Sequence, residues 1–433
     1  MQTIKINLKE FLDTLLPNLE IQKFIYLLQE ISKKRKEFLY FAGGVVRDYF
    51  LKKFYEKEIP PFKDLDLVLE GDLNGFLKEL FKKVKGQILL KSQFLTYKVR
   101  FNFNNQEFLI DFITARKELY EEIAKLPKVF SSNFKDDILR RDFTINALII
   151  GLSPPYENCL IDLVNGIEDL KKGLIRPLHL NSFVDDPTRV FRGIRYKIRF
   201  DFDFAEDFFL ALKIGSERSS FKKLSSSRIA NELKLYLIKE PQKNLKLLLD
   251  TTFDLNIFEK LGIKVKKENF EFLTEIIKNL KNHINSQEIE KTFLLGLIDP
   301  EDLNNACRVG FTKFEIKKIE KAIETIKINL DFWKTLSLGE KIKIFEKIRP
   351  CYLLVLAIYY PFLRQEVIDF FKIFKKIKPH LTGEDLKRLG IKEGKEIGKI
   401  LELLRQNVIE GKLKTKEDEE KFVAELVLKK LAD

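Results

Sequence analysis

Strand-type periodicity stops at about Leu180, and from there onward the chain reads only as helix. Before that point, residues 38–42 (FLYFA) and 65–69 (LDLVL) are apolar runs of strand length. Residues 87–91, 95–103 and 107–113 alternate or run apolar in the manner of strands, with Asn104-Asn105 as a hairpin turn. Helices are expected at about 44–54 and 73–84. Beyond it, residues 186–199, 205–218, 226–239, 242–250, 268–282, 313–328, 338–347, 351–360, 364–376, 384–389, 394–409 and 416–431 carry helical periodicity. The division predicts an α+β protein, a small mixed-sheet domain followed by a helical array. Pro177, the 250–265 break and Pro350 suggest segments 1–175, 176–250, 251–345 and 346–433.

Composition narrows the class. A 433-residue chain that is 45% hydrophobic, 12% aromatic and 33% charged can build several cores, which excludes global disorder. The longest apolar runs, such as 353–359, fall far short of the roughly 20 residues that span a bilayer, and the N-terminus lacks a secretory pattern. The expectation is a soluble, cytoplasmic protein with no membrane partner. Cys159, Cys307 and Cys351 are far apart and odd in number, and His179, His283 and His380 are as scattered. Neither a disulfide framework nor a zinc motif is present, so chemistry must rest on carboxylates and basic groups. A single methionine beside abundant Lys, Glu, Ile and Phe is compatible with a thermophilic source. The +13 charge permits a polyanionic partner, and solvated lysine-rich helices account for it equally.

Five motifs carry candidate chemistry. Gly43-Gly44-Val45-Val46-Arg47-Asp48 falls between a strand and a helix, where glycines let backbone approach a phosphate and a helix N-terminus offers free N–H groups; a plain tight turn is the simpler reading. Asp64-Leu65-Asp66 opens a strand, and a spacing of two puts both carboxylates on one face. Hard oxygen ligands without nearby His or Cys suit magnesium, although one such pair is expected by chance; Asp201-Phe202-Asp203 is another, with no role assigned. Asp111, inside FLIDFITAR, needs a cation, either Lys98 or Arg100 from the neighbouring strand or a metal shared with Asp64 and Asp66. In Arg140-Arg141-Asp142-Phe143-Thr144-Ile145-Asn146 one arginine is expected to pair with Asp142 and the other to bind an anion. In Asp186-Pro187-Thr188-Arg189 the acid and proline are helix-start signals, and Arg189, Arg192 and Arg195 recur every third residue, as a solvated stripe or a triphosphate cradle.

Together GGVVRD, DLDLVLEGD, FLIDFITAR, RRDFTINAL and DPTRVFRGIRY, in this order and spacing, closely resemble the bacterial class II tRNA nucleotidyltransferase (CCA-adding enzyme) and poly(A) polymerase family. The match covers roughly 38–200, and LTGEDLKRLGIKEGKEIGKILELL at the C-terminal end is similar to that family's tail. The resemblance implies a polymerase-β-like catalytic head over 1–175, a neck at 176–250 that recognises the base, a body at 251–345 and a tRNA-binding tail at 346–433. It implies Asp64 and Asp66 as ligands of catalytic Mg2+, with Asp111 as the third acid. Gly43, Gly44 and Arg47 would serve the nucleotide's phosphates, and Arg141, Asp142 and Asn146 would line the pocket. Asp186 and Arg189 would read the base of CTP or ATP, with Arg192 and Arg195 on the triphosphate or bracing their helix.

The activity implied is template-independent addition of CMP and AMP, or one of them, to the tRNA 3′ end, with the acceptor–TΨC arm gripped by the helices and no obligatory protein partner. A poly(A) polymerase, or an RNA-binding protein with a silent polymerase domain, are the alternatives. Two departures stand out: Gly193 replaces a more usual alanine, and residues 114–139 lack a proline found before the Ala-x-Leu-Pro stretch of some members. The second bears on whether the product is CCA, CC or A. In the tail, Gly383, Gly390, Gly394 and Gly398 lie among Lys387, Arg388, Lys392, Lys395 and Lys399, a pattern that suits duplex phosphates or a capped helical bundle.

Overall fold

A computed structural model describes residues 2–56, 64–103, 106–328, 333–391 and 394–432. The expected turn at Asn104-Asn105 and the tail's Lys392 lie outside them. The chain forms two compact units, Met1–Leu224 and Ser225–Asp433.

The first unit is built on an eight-stranded mixed sheet. Its strands are β1 (Gln2–Lys5), β2 (Phe38–Ala42), β3 (Asp64–Glu70), β4 (Gly86–Ser92), β5 (Thr96–Phe103), β6 (Gln106–Thr114), β9 (Ile149–Gly151) and β10 (Cys159–Asp162), while β7 (Arg116–Leu119) and β8 (Lys128–Ser131) pair as a separate hairpin. The spatial order is β1-β10-β9-β2-β3-β6-β5-β4. Among the described residues of this sheet, only β3 and β6 are parallel neighbours, aligned Asp64 to Leu109 and Asp66 to Asp111. Helices α1 (Leu8–Leu15), α2 (Leu19–Arg35), α3 (Gly44–Tyr55), α4 (Leu73–Lys83), α5 (Phe134–Leu139) and α6 (Gly166–Lys172) punctuate the strands. A short β11 (Leu174–Ile175) then leads to α7 (Ser182–Asp185) and α8 (Thr188–Phe200).

Strands 38–42, 65–69, 95–103 and 107–113 and the helices beside them stand where the periodicity puts them. Residues 2–35 form a strand and two helices that the pattern did not single out. Asn18 caps α2, its side chain accepting from Glu20 N at 2.9 Å, while α2 buries Ile21, Phe24, Ile25, Leu28 and Ile31. The end of strand structure at Leu180 needs one correction. Asp203–Phe204 forms a two-residue strand, β12, parallel to β11, because Asp201 at φ 55° turns the chain back at the end of α8. The second unit is helical, as expected, and adds a helix at Ser286–Gly296 that was not foreseen. Its C-terminal half buries Thr292, Phe293, Leu294 and Leu295 consecutively, so no single apolar stripe marks it.

The C-terminal helices share a core of Leu381, Leu386, Ile400, Leu404 and Val423. Thr382 and Asp385 cap the Gly383–Arg388 helix reciprocally. Gly390 and Gly394 adopt φ of +89° and +124°, so these glycines serve as turn and cap residues. No described helix is long and apolar enough to cross a membrane.

Gly193 stands where close packing leaves no room for a methyl group. A Cβ there would lie 2.7 Å from Phe208 Cε2 and 2.9 Å from Phe143 Cζ. Phe143 packs edge-on against Tyr196 and parallel to Phe208, so the two rings that fix α8 have taken the space. We expect Gly193→Ala to cost about 1–3 kcal/mol through overpacking, read as a lower Tm in calorimetry; a variant as stable as the parent would show that the rings give way.

Candidate active site

Glycine geometry and strand register assemble the first part of the site. Gly43 adopts φ 71° and ψ −128°, turning the chain from β2 into α3 through a conformation that side-chain-bearing residues rarely take. A Cβ on Gly43 would sit 3.2 Å from Arg141 Nη1 and 3.7 Å from Asp66 Oδ2. The glycine turn, the second acid of the Asp-x-Asp pair and the second arginine of RRDFTINAL therefore converge. Asp111 is the register partner of Asp66 on the adjacent parallel strand, and Asp64 stands two residues earlier on the same face. The side chain of Asp64 lies outside what the structure describes. Lys98 Nζ is 3.0 Å from Asp111 Oδ1, so Lys98 supplies the structural cation expected of Lys98 or Arg100, whereas Arg100 pairs with Glu107.

The arginine pair is arranged differently from expectation. Neither Arg140 nor Arg141 pairs with Asp142; both are bound by Asp137, at 2.7 and 2.8 Å. Asp137 is fully buried, and α5 sets it three and four residues before the two arginines, so one carboxylate reaches both. Burial works to raise its pKa, yet the Arg141 and Arg140 charges prevail and hold it below the ordinary carboxylate value. The signal was present in FKDDILRR as helical spacing.

Asp142 instead joins the sheet unit's own motif to α8. Its Oδ2 accepts from Arg192 Nε at 2.6 Å, and its Oδ1 accepts from Asn146 Nδ2 at 2.9 Å and from Phe143 N at 2.8 Å. Asn146 Oδ1 accepts from Arg47 Nη1 at 2.6 Å, and Arg47 also bonds Asp48 while its guanidinium lies over the rings of Tyr196 and Phe200. Burial opposes ionisation of Asp142, but Arg192 and the Asn146 bond outweigh it and lower its pKa to about 2. The structure buries Arg189 and Arg195 and half-buries Arg192, so the arginine row is not a solvated stripe.

Pro187 occupies the helix-cap position of α8, and Asp186 acts on the same turn, its Oδ1 accepting from Thr188 N at 2.9 Å and Oγ1 at 2.6 Å. Arg189 donates to Ser182 Oγ at 2.8 Å, to the Arg140 carbonyl at 3.0 Å and to Tyr120 at 3.4 Å. Tyr120, Ser182 and Phe200 are partners outside every motif, while Tyr196 closes DPTRVFRGIRY without a role marked for it. Among the described residues no group of three His, Cys, Asp or Glu side chains is arranged as a metal cluster. The donor set on the β3–β6 face is nevertheless of hard carboxylate oxygens, a chemistry that fits a divalent cation.

A sheet bearing in-register acids beside a glycine turn agrees with the nucleotidyltransferase head that the motif resemblance implies. Residues 39–176 match the poly A polymerase head domain. The chain is 28% identical to the A-adding tRNA nucleotidyltransferase of Halalkalibacterium halodurans, over 97% of this chain and 95% of that one. It is 28% identical to the A-adding tRNA nucleotidyltransferase of Aquifex aeolicus over 86% of its length, but spans only 44% of that relative. Among solved structures, a CCA-adding enzyme in apo form superposes with a TM-score of 0.78 at 26% identity, covering 99% of this chain and all of that one. The Thermotoga maritima CCA-adding enzyme complexed with tRNA gives 0.75 at 25% identity, over 99% of this chain and 100% of its own. The resemblance to the tRNA nucleotidyltransferases thus extends from five motifs to the whole chain, that to the poly A polymerases covers the head, and the α+β head with its helical continuation is the fold of the CCA-adding enzymes.

The depressed Asp142 carboxyl makes stability depend on acid. Folding favours its ionised form, so its contribution is complete above the ordinary value of 3.8 and is lost as pH falls toward about 2. Urea unfolding of Asp142→Asn and its parent should give a stability gap that narrows as pH drops through this window. A gap of constant size would contradict the assignment.

Proposed function

We propose that this protein is a template-independent tRNA nucleotidyltransferase, and that the nucleotide it adds is the terminal AMP. The convergence of Gly43, Asp66 and Arg141, with Asp111 in register beside Asp66, carries the reading. The names of the Halalkalibacterium, Aquifex and Geobacter sulfurreducens relatives, all A-adding, favour AMP over CMP. The 114–139 departure agrees with a specialised product. There the chain folds as the β7–β8 hairpin, and its Ala124 N donates to the Val184 carbonyl at 3.3 Å.

In this reading Asp64 and Asp66, with Asp111, hold magnesium, the hard cation suited to carboxylates and phosphates. When bound, the metal supplies charge neutralisation to the tRNA 3′-oxygen and to the departing pyrophosphate during in-line displacement at the α-phosphate. The chain's own residues do the positioning. The Gly43-Gly44 turn brings the N–H groups that open α3 close to the phosphates. Arg141, anchored by Asp137, holds a fixed guanidinium beside that turn for the triphosphate. Arg47, Asn146 and Asp142 form a rigid hydrogen-bonded wall for the sugar side. Asp186 and Arg189, an acceptor and a fork of donors one helical turn apart, read the base edge, which penalises bases that leave them unpaired. Arg192 and Arg195 brace the same helix.

tRNAs ending before the last one, two or three nucleotides of CCA, each offered CTP or ATP, test the product. Addition of a single A to tRNA ending in CC is expected. CMP incorporation would move the assignment to CC or CCA addition, long A tails would indicate a poly(A) polymerase, and no incorporation would favour the silent RNA-binding protein.

Two substitutions test the residues. Asp66→Ala should lower incorporation at least a hundredfold while tRNA binding persists, with Asp201→Ala nearly unchanged; a variant retaining more than a few per cent of the rate would remove Asp66 from the site. Arg189→Ala should let CTP, GTP and UTP compete better against ATP as well as slowing the reaction. Slowed incorporation with intact selectivity would make Arg189 a structural tie between Ser182 and Arg140.

A further inference from the structure

The catalytic face of the sheet carries a cation in register with its acids. Asp66 and Asp111 face each other across parallel strands, which lie roughly 4.8 Å apart. Like charges set opposite each other in this way repel. On the next strand Lys98 is the register partner of Asp111, so one row across the sheet reads Asp66, Asp111, Lys98. The ammonium lies 3.0 Å from Asp111 Oδ1, and the two side chains are only 30% and 21% exposed. That contact ties the ammonium to the carboxylate that stands in register with Asp66.

We propose that Lys98 is a positioning residue that competes with the divalent cation for Asp111. The inference rests on the reading of Asp64, Asp66 and Asp111 as the metal-binding acids. Without nucleotide the ammonium offsets the Asp66–Asp111 repulsion and pairs with Asp111 Oδ1. A second positive charge arriving at the acids must displace it or share the oxygen with it, and in a partly desolvated site both are unfavourable. The cluster therefore binds a free divalent cation weakly. Nucleotide phosphates bring negative charge that offsets the ammonium, so the cation is retained mainly as its nucleotide complex. Lys98 thus couples metal retention to the presence of substrate, without itself touching the reacting atoms.

Mn2+ binding to the full-length protein, followed by loss of the free-ion electron paramagnetic resonance signal, reads this directly and does not depend on turnover. Without nucleotide, Lys98→Met should bind Mn2+ roughly tenfold more tightly than the parent, the effect expected of one nearby charge screened by solvent. Lys98→Gln should shift in the same direction, and provides the neutral variant if the methionine form folds poorly. Lys98→Arg, which keeps the charge, should stay within about twofold. With saturating ATP the gap between Lys98→Met and the parent should shrink to about twofold. Unchanged or weaker Mn2+ binding by the neutral variants would overturn the proposal, as would a gap that ATP leaves intact. Asp66→Ala separates the two readings: if it binds Mn2+ as the parent does, the assignment of the acids fails. If it loses Mn2+ while Lys98→Met matches the parent, only the role of Lys98 fails.

Discussion

The buried carboxylate of Asp142 is the joint on which the site depends. It takes one hydrogen bond from Arg192 on α8 and another from Asn146, which in turn accepts from Arg47 on α3. Helices α3 and α8 are thereby tied to the Asp142–Asn146 segment through three oxygens on two buried side chains. Removing one partner of such a network leaves another buried and uncompensated, a loss of several kcal/mol. The rigidity has a chemical use: groups meant to fit a sugar or a triphosphate must be held before the ligand arrives, so that the ordering cost falls on folding and not on catalysis.

A second buried acid repeats the arrangement. Asp137 holds Arg140 and Arg141 from one helical turn, and the carbonyl of Arg140 receives Arg189 from α8. The arginines of RRDFTINAL and of DPTRVFRGIRY are thus cross-linked through Asp137, Asp142 and one main-chain carbonyl. Aromatic rings fill the spaces between these ties: Tyr196 and Phe200 face Arg47, and Phe143 and Phe208 close over Gly193.

Much of this was legible in the chain because both periodicities report burial. Strand β3 and helix α3 stand where the apolar runs put them, and a spacing of two along a strand places Asp64 and Asp66 on one face. Register was not legible. Nothing in FLIDFITAR says that Asp111 lies opposite Asp66 and not one residue away, since pairing depends on contacts between segments some 45 positions apart. Arginine partners are hidden for a similar reason. Asp142 adjoins Arg141 in sequence, but adjacent side chains on a turn diverge, and the helical spacing from Asp137 was the better guide. Residues 2–35 were missed because neither a glycine-rich turn nor a charged motif drew attention to them. The division at 175, 250 and 345 remains a reading of composition, while the folded chain groups residues 176–224 with the sheet.

The central claim is that the acids of β3 and β6, the Gly43 turn and Arg141 form one nucleotide-binding centre. Anomalous diffraction from crystals grown with Mn2+ and ATP tests it most directly. The account predicts metal peaks in contact with Asp64 and Asp66, with the triphosphate lying between the Gly43-Gly44 turn and the Arg141 guanidinium. Metal and triphosphate bound at any other place, with the β3–β6 face empty, would contradict it.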